Sequence, residues 1–243
     1  MIKAGQRIAT ATGVMLADPH SLGNARQGAS EALFDPDYWA ARGELSAVAG
    51  GRGSAWFVGS TDHPWVLRHY RRGGFMARIS QDQYWWHGEE RVRSFAEWRL
   101  LLELSQRGLL VPKPVAAFYR RDRWTYRCDL ITERILRAQS LSAALKDAAL
   151  APPVWRAVGT AVARLHRHGV DHADLNAHNI LLDAAGTVSV IDFDRGQLRA
   201  QGAWSSRNLA RLKHSLHKIA AVMPPDRFTP ASWAELLAGY RVD

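Results

Sequence analysis

The run His172-Ala173-Asp174-Leu175-Asn176-Ala177-His178-Asn179, followed directly by the apolar Ile180-Leu181-Leu182, decides how this chain is read. It is a polar loop feeding a short β run. Thirteen residues after Asn179 comes Ile191-Asp192-Phe193-Asp194, which ends a second β run, Val188–Ile191. Ala185-Gly186 lies between the two runs and supplies a tight turn. Two short strands joined by such a turn bring the chain back on itself, so Asp192 returns beside Asn179. The pair then offers hard oxygen ligands to a magnesium ion held by phosphates. Asp174, five residues before Asn179, is placed to accept a hydroxyl proton and orient the attacking oxygen.

Together the two segments resemble the catalytic loop H-x-D-L-x-x-x-N and the D-F-G segment of protein-kinase-like enzymes. The resemblance implies Asp174 as catalytic base and Asn179 and Asp192 as metal ligands, with ATP and Mg2+ as cofactors. His172 and His178 stand six residues apart in a loop without a nearby third His or Cys, which argues against zinc. His172 is expected to shape the loop by hydrogen bonds.

Upstream, the chain reads as strands and one helix. Strands are expected at Leu45–Val48, Ala55–Val58, Trp65–Tyr70, Val115–Tyr119 and Arg127–Thr132. A helix is expected from Val92 to Gln106, with Phe95, Trp98, Leu101 and Leu102 on one face and Gly108 just past its end. After Glu133 helices dominate: Leu141–Leu145, Pro152–His168, Ser206–Met223 and Ser232–Tyr240. The order predicts an α+β, bilobal, reduced protein-kinase-like fold with a cleft between a small β-rich N-lobe and a mostly helical C-lobe. The expected division is an N-terminal extension over 1–33, mobile in part, an N-lobe over 34–133 and a C-lobe over 134–243. Lys3 and Arg7 precede a mildly apolar stretch, Ile8–Ala17. Thr10, Thr12 and Gly13 interrupt it, so it reads as a strand or loop rather than a cleaved leader.

The N-lobe should carry the nucleotide-binding groups. Gly51, Arg52, Gly53 and Ser54 sit between two strands and match the first two glycines of G-x-G-x-x-G, with Trp56 where the third would be. Alone the stretch would be a hairpin turn; upstream of the catalytic pair it is a candidate phosphate cover. On the next strand Arg68 stands where a lysine to the phosphates is usual, and the two are not equivalent. Glu97 on the following helix is its expected acidic partner, in preference to Glu89, Glu90 and Glu103; the plain alternative is a solvated carboxylate. Glu133 and Ile135 belong to the connector whose main chain would hold an adenine ring.

The 243 residues carry 32 Lys and Arg against 23 Asp and Glu, a net charge of +9, and 47% are hydrophobic. The composition is that of a globular chain, and the charge favours an anionic partner, whether nucleic acid, phosphorylated lipid or an anionic membrane surface, without choosing among them. Cys128 is the only cysteine, so an intrachain disulfide is excluded. No stretch reaches the roughly 20 apolar residues a membrane span needs. Any membrane contact is therefore expected to be peripheral.

The motifs as a set, with Val66–Gly74, Phe95–Leu101, Gly108–Pro114 and Asp174–Asp183, resemble the lipopolysaccharide kinase family from about Phe34 to Lys218. An arginine at the place of Arg68 is a feature of that family. The resemblance implies transfer of the ATP γ-phosphate to the 4-hydroxyl of the 3-deoxy-D-manno-octulosonic acid (Kdo) residue of Kdo-lipid IVA. The implied place is the cytoplasmic face of a Gram-negative inner membrane, with the protein peripheral. Two readings stay beside it: a kinase for another sugar such as heptose or for an antibiotic, and a non-catalytic lipid-binding pseudokinase. Only 51 residues follow Asp192 here and no A-P-E motif is among them, so a long peptide-docking segment is not expected.

On the Ser206–Met223 helix, Leu209, Leu212, Leu216 and Ile219 fall on one face, and Arg207, Arg211, His214 and Lys218 on another. Arg207, Arg211 and Lys218, with Arg71 and Arg72 of the Arg71–Glu90 insertion, are candidates for an anionic glycolipid or membrane surface; a solvated face is the plain alternative. Phe75, Tyr84, Trp85 and Trp86 in the insertion suit a membrane interface and suit packing on the N-lobe equally. There is no recognised nucleic-acid motif, and no obligate protein partner is evident.

Overall fold

The computed structural model describes residues 5–18, 22, 30–47, 55–71 and 82–242. The chain divides into two compact units, one built from the residues up to Glu103 with Lys113–Arg134, the other from Leu104–Pro112 with Ile135 onward. The Gly51–Ser54 phosphate-cover candidate and Arg72 lie outside the described residues.

The first unit carries one large antiparallel sheet. Its strands are β1 (Gln6–Ala9), β2 (Val14–Ala17), β3 (Leu45–Ala47), β4 (Ala55–Val58), β5 (Trp65–His69), β6 (Tyr84–Trp85), β7 (Pro114–Asp122) and β8 (Thr125–Glu133). Their order is β1-β2-β7-β8-β5-β4-β3, with β6 also paired to β8. The central strands β7 and β8 are buried almost continuously over Pro114–Tyr119 and Cys128–Ile131. Both faces of the sheet are covered, which explains apolar runs in place of alternation. One face packs Met15, Val58, Trp65, Leu67, Phe118 and Ile131 against Leu33, Phe34 and Trp39. The last of these sits in the short helix α1 (Pro36–Ala40). Asp35 caps α1 by accepting from the Asp37 amide, and Pro36 follows at its first position. The other face receives the helix α2 (Arg93–Gln106). There the Phe95 ring meets Tyr119 edge-on at 5.2 Å, and the Ser94 hydroxyl donates to the Phe118 carbonyl at 3.1 Å.

α2 begins one residue later than expected and ends where expected, with Gly108 beyond it at φ +73°. Of its apolar set, Phe95, Trp98 and Leu101 are buried; Leu102 is only half-buried, and Leu104 takes its place in the core. Residues 6–17 form the β1–β2 hairpin, which joins the sheet through pairing of β2 with β7.

The second unit is mostly helical: α3 (Leu141–Asp147), α4 (Pro152–Arg167), α5 (Trp204–Ala220) and α6 (Pro230–Val242). Between them lie β9 (Ala138–Ser140), β10 (Val170–Asp171), β11 (Ile180–Asp183), β12 (Val188–Val190) and β13 (Gln197–Leu198). β12-β11-β9 make a small sheet, and β10 pairs with β13. α4 starts at a Pro-Pro pair and buries Trp155, Val158, Val162 and Leu165. It crosses α6 at a glycine on each helix. A Cβ on Gly159 would fall 1.9 Å from the Leu236 carbonyl oxygen, and one on Gly239 would fall 2.1 Å from that of Arg156. Only glycine allows this approach. In α5 the buried positions are Trp204, Asn208, Leu212 and Leu216, a strict four-residue repeat, while Leu209 and Ile219 are half-buried. Among the described residues no helix is long and apolar enough to cross a membrane.

Candidate active site

The 172–179 loop leaves β10 and enters β11, and its ends are fixed by α5. The buried Asn208 side chain accepts from the His172 amide at 3.0 Å and donates to the Asp171 carboxylate at 2.9 Å. Ser215, two turns further along, accepts from the Ala177 amide at 3.2 Å. His172 is 1% exposed. Its Nδ1 accepts from the Asp174 amide at 3.2 Å, which leaves Nε2–H to donate to the Ile191 carbonyl at 3.0 Å. Burial holds its pKa below the ordinary histidine value, so the ring stays neutral. One neutral imidazole therefore ties the loop to the segment before Asp192. Phe193, fully buried, packs its ring 4.8 Å from that of His172. His178 is also used structurally, sharing a 2.8 Å hydrogen bond with the Ser142 hydroxyl. Among the described residues no His, Cys, Asp and Glu group forms a metal cluster of its own.

The β11–β12 hairpin brings the expected residues together. Asp183 organises its turn by accepting from the Ala185 and Thr187 amides at 2.9 and 2.8 Å, and these backbone donors hold its pKa down. Gly186 takes φ +80°. Pairing runs from Leu182↔Val188 to Ile180↔Val190 and is extended by the Ile191 amide, which donates to the Asn179 carbonyl at 2.9 Å. Asp192 is the next residue, and it adopts φ +63°, a left-handed conformation that a non-glycine residue rarely takes.

Asn179 is 8% exposed, and its Nδ2 donates to the Asp174 carbonyl at 3.0 Å. That bond uses the amide nitrogen and leaves the oxygen Oδ1 as the acceptor atom of the same amide. Asp174 is held a second time: Asn176 Nδ2 donates to its carbonyl at 3.0 Å and to its Oδ2 at 3.1 Å. Asn176 is itself fixed, since its Oδ1 accepts from the His178 amide at 2.8 Å. The Asp174 side chain remains 58% exposed. It is an oriented carboxylate open to an incoming molecule.

Arg211 departs from the picture of a stripe serving lipid alone. It projects from α5 toward the loop, with Nη1 3.4 Å from Asp174 Oδ1. Arg207 and Lys218 are exposed on the same helix. Asn176, Asn208 and Ser215 were not singled out as site residues from sequence. Asn176 lies within the quoted run, two residues past the base, where an amide can return to the backbone; the other two carry no local signal.

In the first unit Arg68 and Glu97 pair through Arg68 Nη2 and Glu97 Oε2. Glu97 is 3% exposed and accepts a second hydrogen bond from the Tyr70 hydroxyl. Tyr70 in turn accepts from Arg68 at 2.9 Å. The competing carboxylates have other partners: Glu89 binds Arg7 and the Tyr119 hydroxyl, and Glu90 binds Arg99. Glu133 lies 3.7 Å from Lys113 at the end of β8, and Ile135 is half-buried just beyond. Arg71 is exposed. Cys128 is buried, and burial pushes its thiol up to about 12, so it is chemically silent at neutral pH.

The second unit thus holds an oriented, exposed carboxylate close to an asparagine and an aspartate, and the first holds an Arg–Glu pair; these are side chains of the kinds that ATP-dependent phosphotransferases of kinase-like construction use. Comparison with known proteins narrows the class. Residues 36–240 match the family described as "Lipopolysaccharide kinase (Kdo/WaaP) family". A "3-deoxy-D-manno-octulosonic acid kinase" of Stenotrophomonas maltophilia (strain K279a) is 47% identical over 208 residues, covering 85% of this chain and 81% of the relative. The protein of that name from Xanthomonas campestris pv. campestris (strain B100) is 49% identical over 208 residues with the same coverage. Its counterpart from Vibrio vulnificus (strain CMCP6) is 44% identical over 187 residues, 77% of this chain and 79% of that one. The chain belongs to the lipopolysaccharide kinase (Kdo/WaaP) family.

Proposed function

We propose that this enzyme transfers the γ-phosphoryl group of ATP to the 4-hydroxyl of the Kdo residue of Kdo-lipid IVA, at the cytoplasmic face of the bacterial inner membrane. The observation that carries the reading is Asp174: an exposed carboxylate whose direction is set by Asn176 and whose backbone is tied to Asn179. Asp174 accepts the proton of the sugar hydroxyl and aims its oxygen. Asn179 Oδ1 and the Asp192 carboxylate suit Mg2+, which takes hard oxygen ligands and, together with ATP, supplies the phosphoryl donor and neutralises its charge.

The remaining roles follow from side-chain chemistry. Arg68, steadied by Glu97 and Tyr70, binds phosphate oxygens. The main chain at Glu133 and Ile135 holds the adenine, and Gly51, Arg52, Gly53 and Ser54 cover the phosphates. The acceptor is a sugar acid, so it brings a carboxylate near the anionic Asp174. Arg211, already 3.4 Å from that residue, supplies the compensating cation with a planar fork suited to a carboxylate. Arg71, Arg72, Arg207 and Lys218 serve the phosphates of the glycolipid or the anionic membrane.

The test is direct. Purified protein is incubated with γ-labelled ATP, Mg2+ and Kdo-lipid IVA, and the label is located in the product. Label on the Kdo 4-position is the expected result. Label only on a heptose or an antibiotic acceptor, or lipid binding with no transfer, overturns the proposal.

A further inference from the structure

The tip of the β7–β8 hairpin carries a local backbone cost. Asp122 pairs with Thr125, so Arg123 and Trp124 alone make the turn. Arg123 sits at φ +47°, in a position of a two-residue hairpin where glycine, asparagine or aspartate is normal. Trp124 is 74% exposed. Two pairs back from the closing Asp122–Thr125 pair, Arg120 and Arg127 stand opposite each other across the two strands, a like-charge pair that weakens a sheet. Asp82 compensates only part of this, through Arg127 at 2.8 Å.

β6 adds to the same end of the sheet. Tyr84 points inward and is buried; Trp85, paired opposite Thr125, points outward and is 61% exposed. The Trp86 amide donates to the Trp124 carbonyl at 2.8 Å, fixing β6 beside the turn. Arg121 lies over the Trp86 ring at 4.5 Å, and its Nε donates to the Arg123 carbonyl at 3.0 Å, which braces the strained turn from within. Two outward indoles are thus held among the exposed Arg120, Arg121, Arg123 and Arg127, with Asp122 the one exposed carboxylate of the turn.

We propose that this hairpin tip, with Trp85 and Trp124 as its indoles and Arg120, Arg121 and Arg123 as its cations, docks the protein on an anionic lipid bilayer. Strain that persists at a surface turn points to a use for that turn. Indoles lie at headgroup depth, where one edge is apolar and the other wet, and guanidinium groups around them meet lipid phosphates. An anionic surface laid over the tip also removes the repulsion between Arg120 and Arg127. The net charge of +9 favours the same partner. A single-stranded nucleic acid is the competing partner for aromatics among arginines; two outward indoles at the tip of a hairpin, set among guanidinium groups, suit headgroup depth better than the stacking of successive bases, so the observations favour the bilayer.

The test uses the full chain and sedimentation with vesicles of phosphatidylethanolamine and phosphatidylglycerol, against vesicles of phosphatidylcholine alone. Wild type is expected to partition to the anionic vesicles at least about tenfold more strongly, and raised salt should weaken the binding. The Trp85→Ser, Trp124→Ser double variant should lose about tenfold in partitioning, and Arg121→Glu with Arg123→Glu should abolish the preference for anionic lipid. Arg123→Gly, which relieves the strained φ, serves as the folding control and should melt no lower than wild type. Phosphorylation of a water-soluble Kdo acceptor should be unchanged in the tryptophan variant, so this proposal and the kinase reading can fail separately. Equal vesicle binding by the double tryptophan variant, no vesicle binding by wild type, or tighter binding to a single-stranded oligonucleotide through the same residues would overturn it.

Discussion

Asn179 donates from its side-chain amide to the main-chain carbonyl of Asp174 at 3.0 Å, so the residue proposed to hold the metal also sets the backbone of the residue proposed to take the proton. The two roles need different atoms of one amide. Asn179→Asp keeps an oxygen for the metal and loses the donor; Asn179→Ala loses both. We expect the aspartate variant to fall about 10- to 100-fold in kcat and the alanine variant further, with a raised Mg2+ requirement only in the latter. Steady-state rates across a Mg2+ titration check this.

Glu97 is a buried carboxylate satisfied by Arg68 and Tyr70. Removing one partner of such a pair strands the other. Glu97→Ala should destabilise the fold by about 3–5 kcal/mol, and Tyr70→Phe by about 1.5–3 kcal/mol, in urea unfolding. Arg68→Lys preserves charge but not the fork, and is expected to raise the KM for ATP while leaving the fold within about 1.5 kcal/mol of wild type.

The sequence made the site legible because its signal is local. One loop, one hairpin and a fixed spacing tie Asn179 to the Asp174 backbone and return the chain at Ile191 beside Asn179, and the expected β runs agree with the structure to within a residue or two. What could not be read depends on distant partners. β2 pairs with β7 a hundred residues later, so the weakly apolar 8–17 stretch shows no pattern of its own. α1 and β6 are too short for periodicity to register. The insertion's aromatics divide, Tyr84 buried and Trp85 exposed, because β6 alternates across a sheet edge that only the fold creates. Arg211 looked like one cation in a stripe; its approach to Asp174 joins residues 37 apart.

If Arg211 meets the carboxylate of the acceptor, the enzyme should distinguish the acid from its methyl ester. Wild type is expected to prefer the acid by at least about tenfold in kcat/KM, and Arg211→Gln should lose that preference while using the ester as wild type does. An equal loss on both acceptors would place Arg211 on Asp174 or on the phosphates instead.

Helix α4 tolerates no side chain at Gly159. On an exposed helix Gly→Ala gains about 1 kcal/mol. Here the added carbon would meet the Leu236 carbonyl oxygen at 1.9 Å, so Gly159→Ala should destabilise by about 1–3 kcal/mol, read as a lower urea midpoint.

Burial pushes His166 down to about 4, against about 6.5 in an unfolded chain. Below about 6.5 the unfolded chain takes up a proton that the folded one refuses. Stability is therefore full at neutral pH and falls as the pH is lowered toward about 4, by about 3 kcal/mol from this group, with the buried His172 acting in the same direction. His166→Phe loses the 2.8 Å bond to the Tyr240 hydroxyl and should start less stable, yet its stability should decline less steeply over that range. Urea midpoints from pH 7 to pH 4 give the slopes.

The measurement that bears most directly on the account is phosphoryl transfer by Asp174→Asn, whose amide matches the carboxylate in shape but accepts no proton. With ATP binding retained, transfer to Kdo-lipid should drop by about 100- to 10,000-fold. Transfer at the wild-type rate would contradict the role given to Asp174 and the phosphotransfer site built around it.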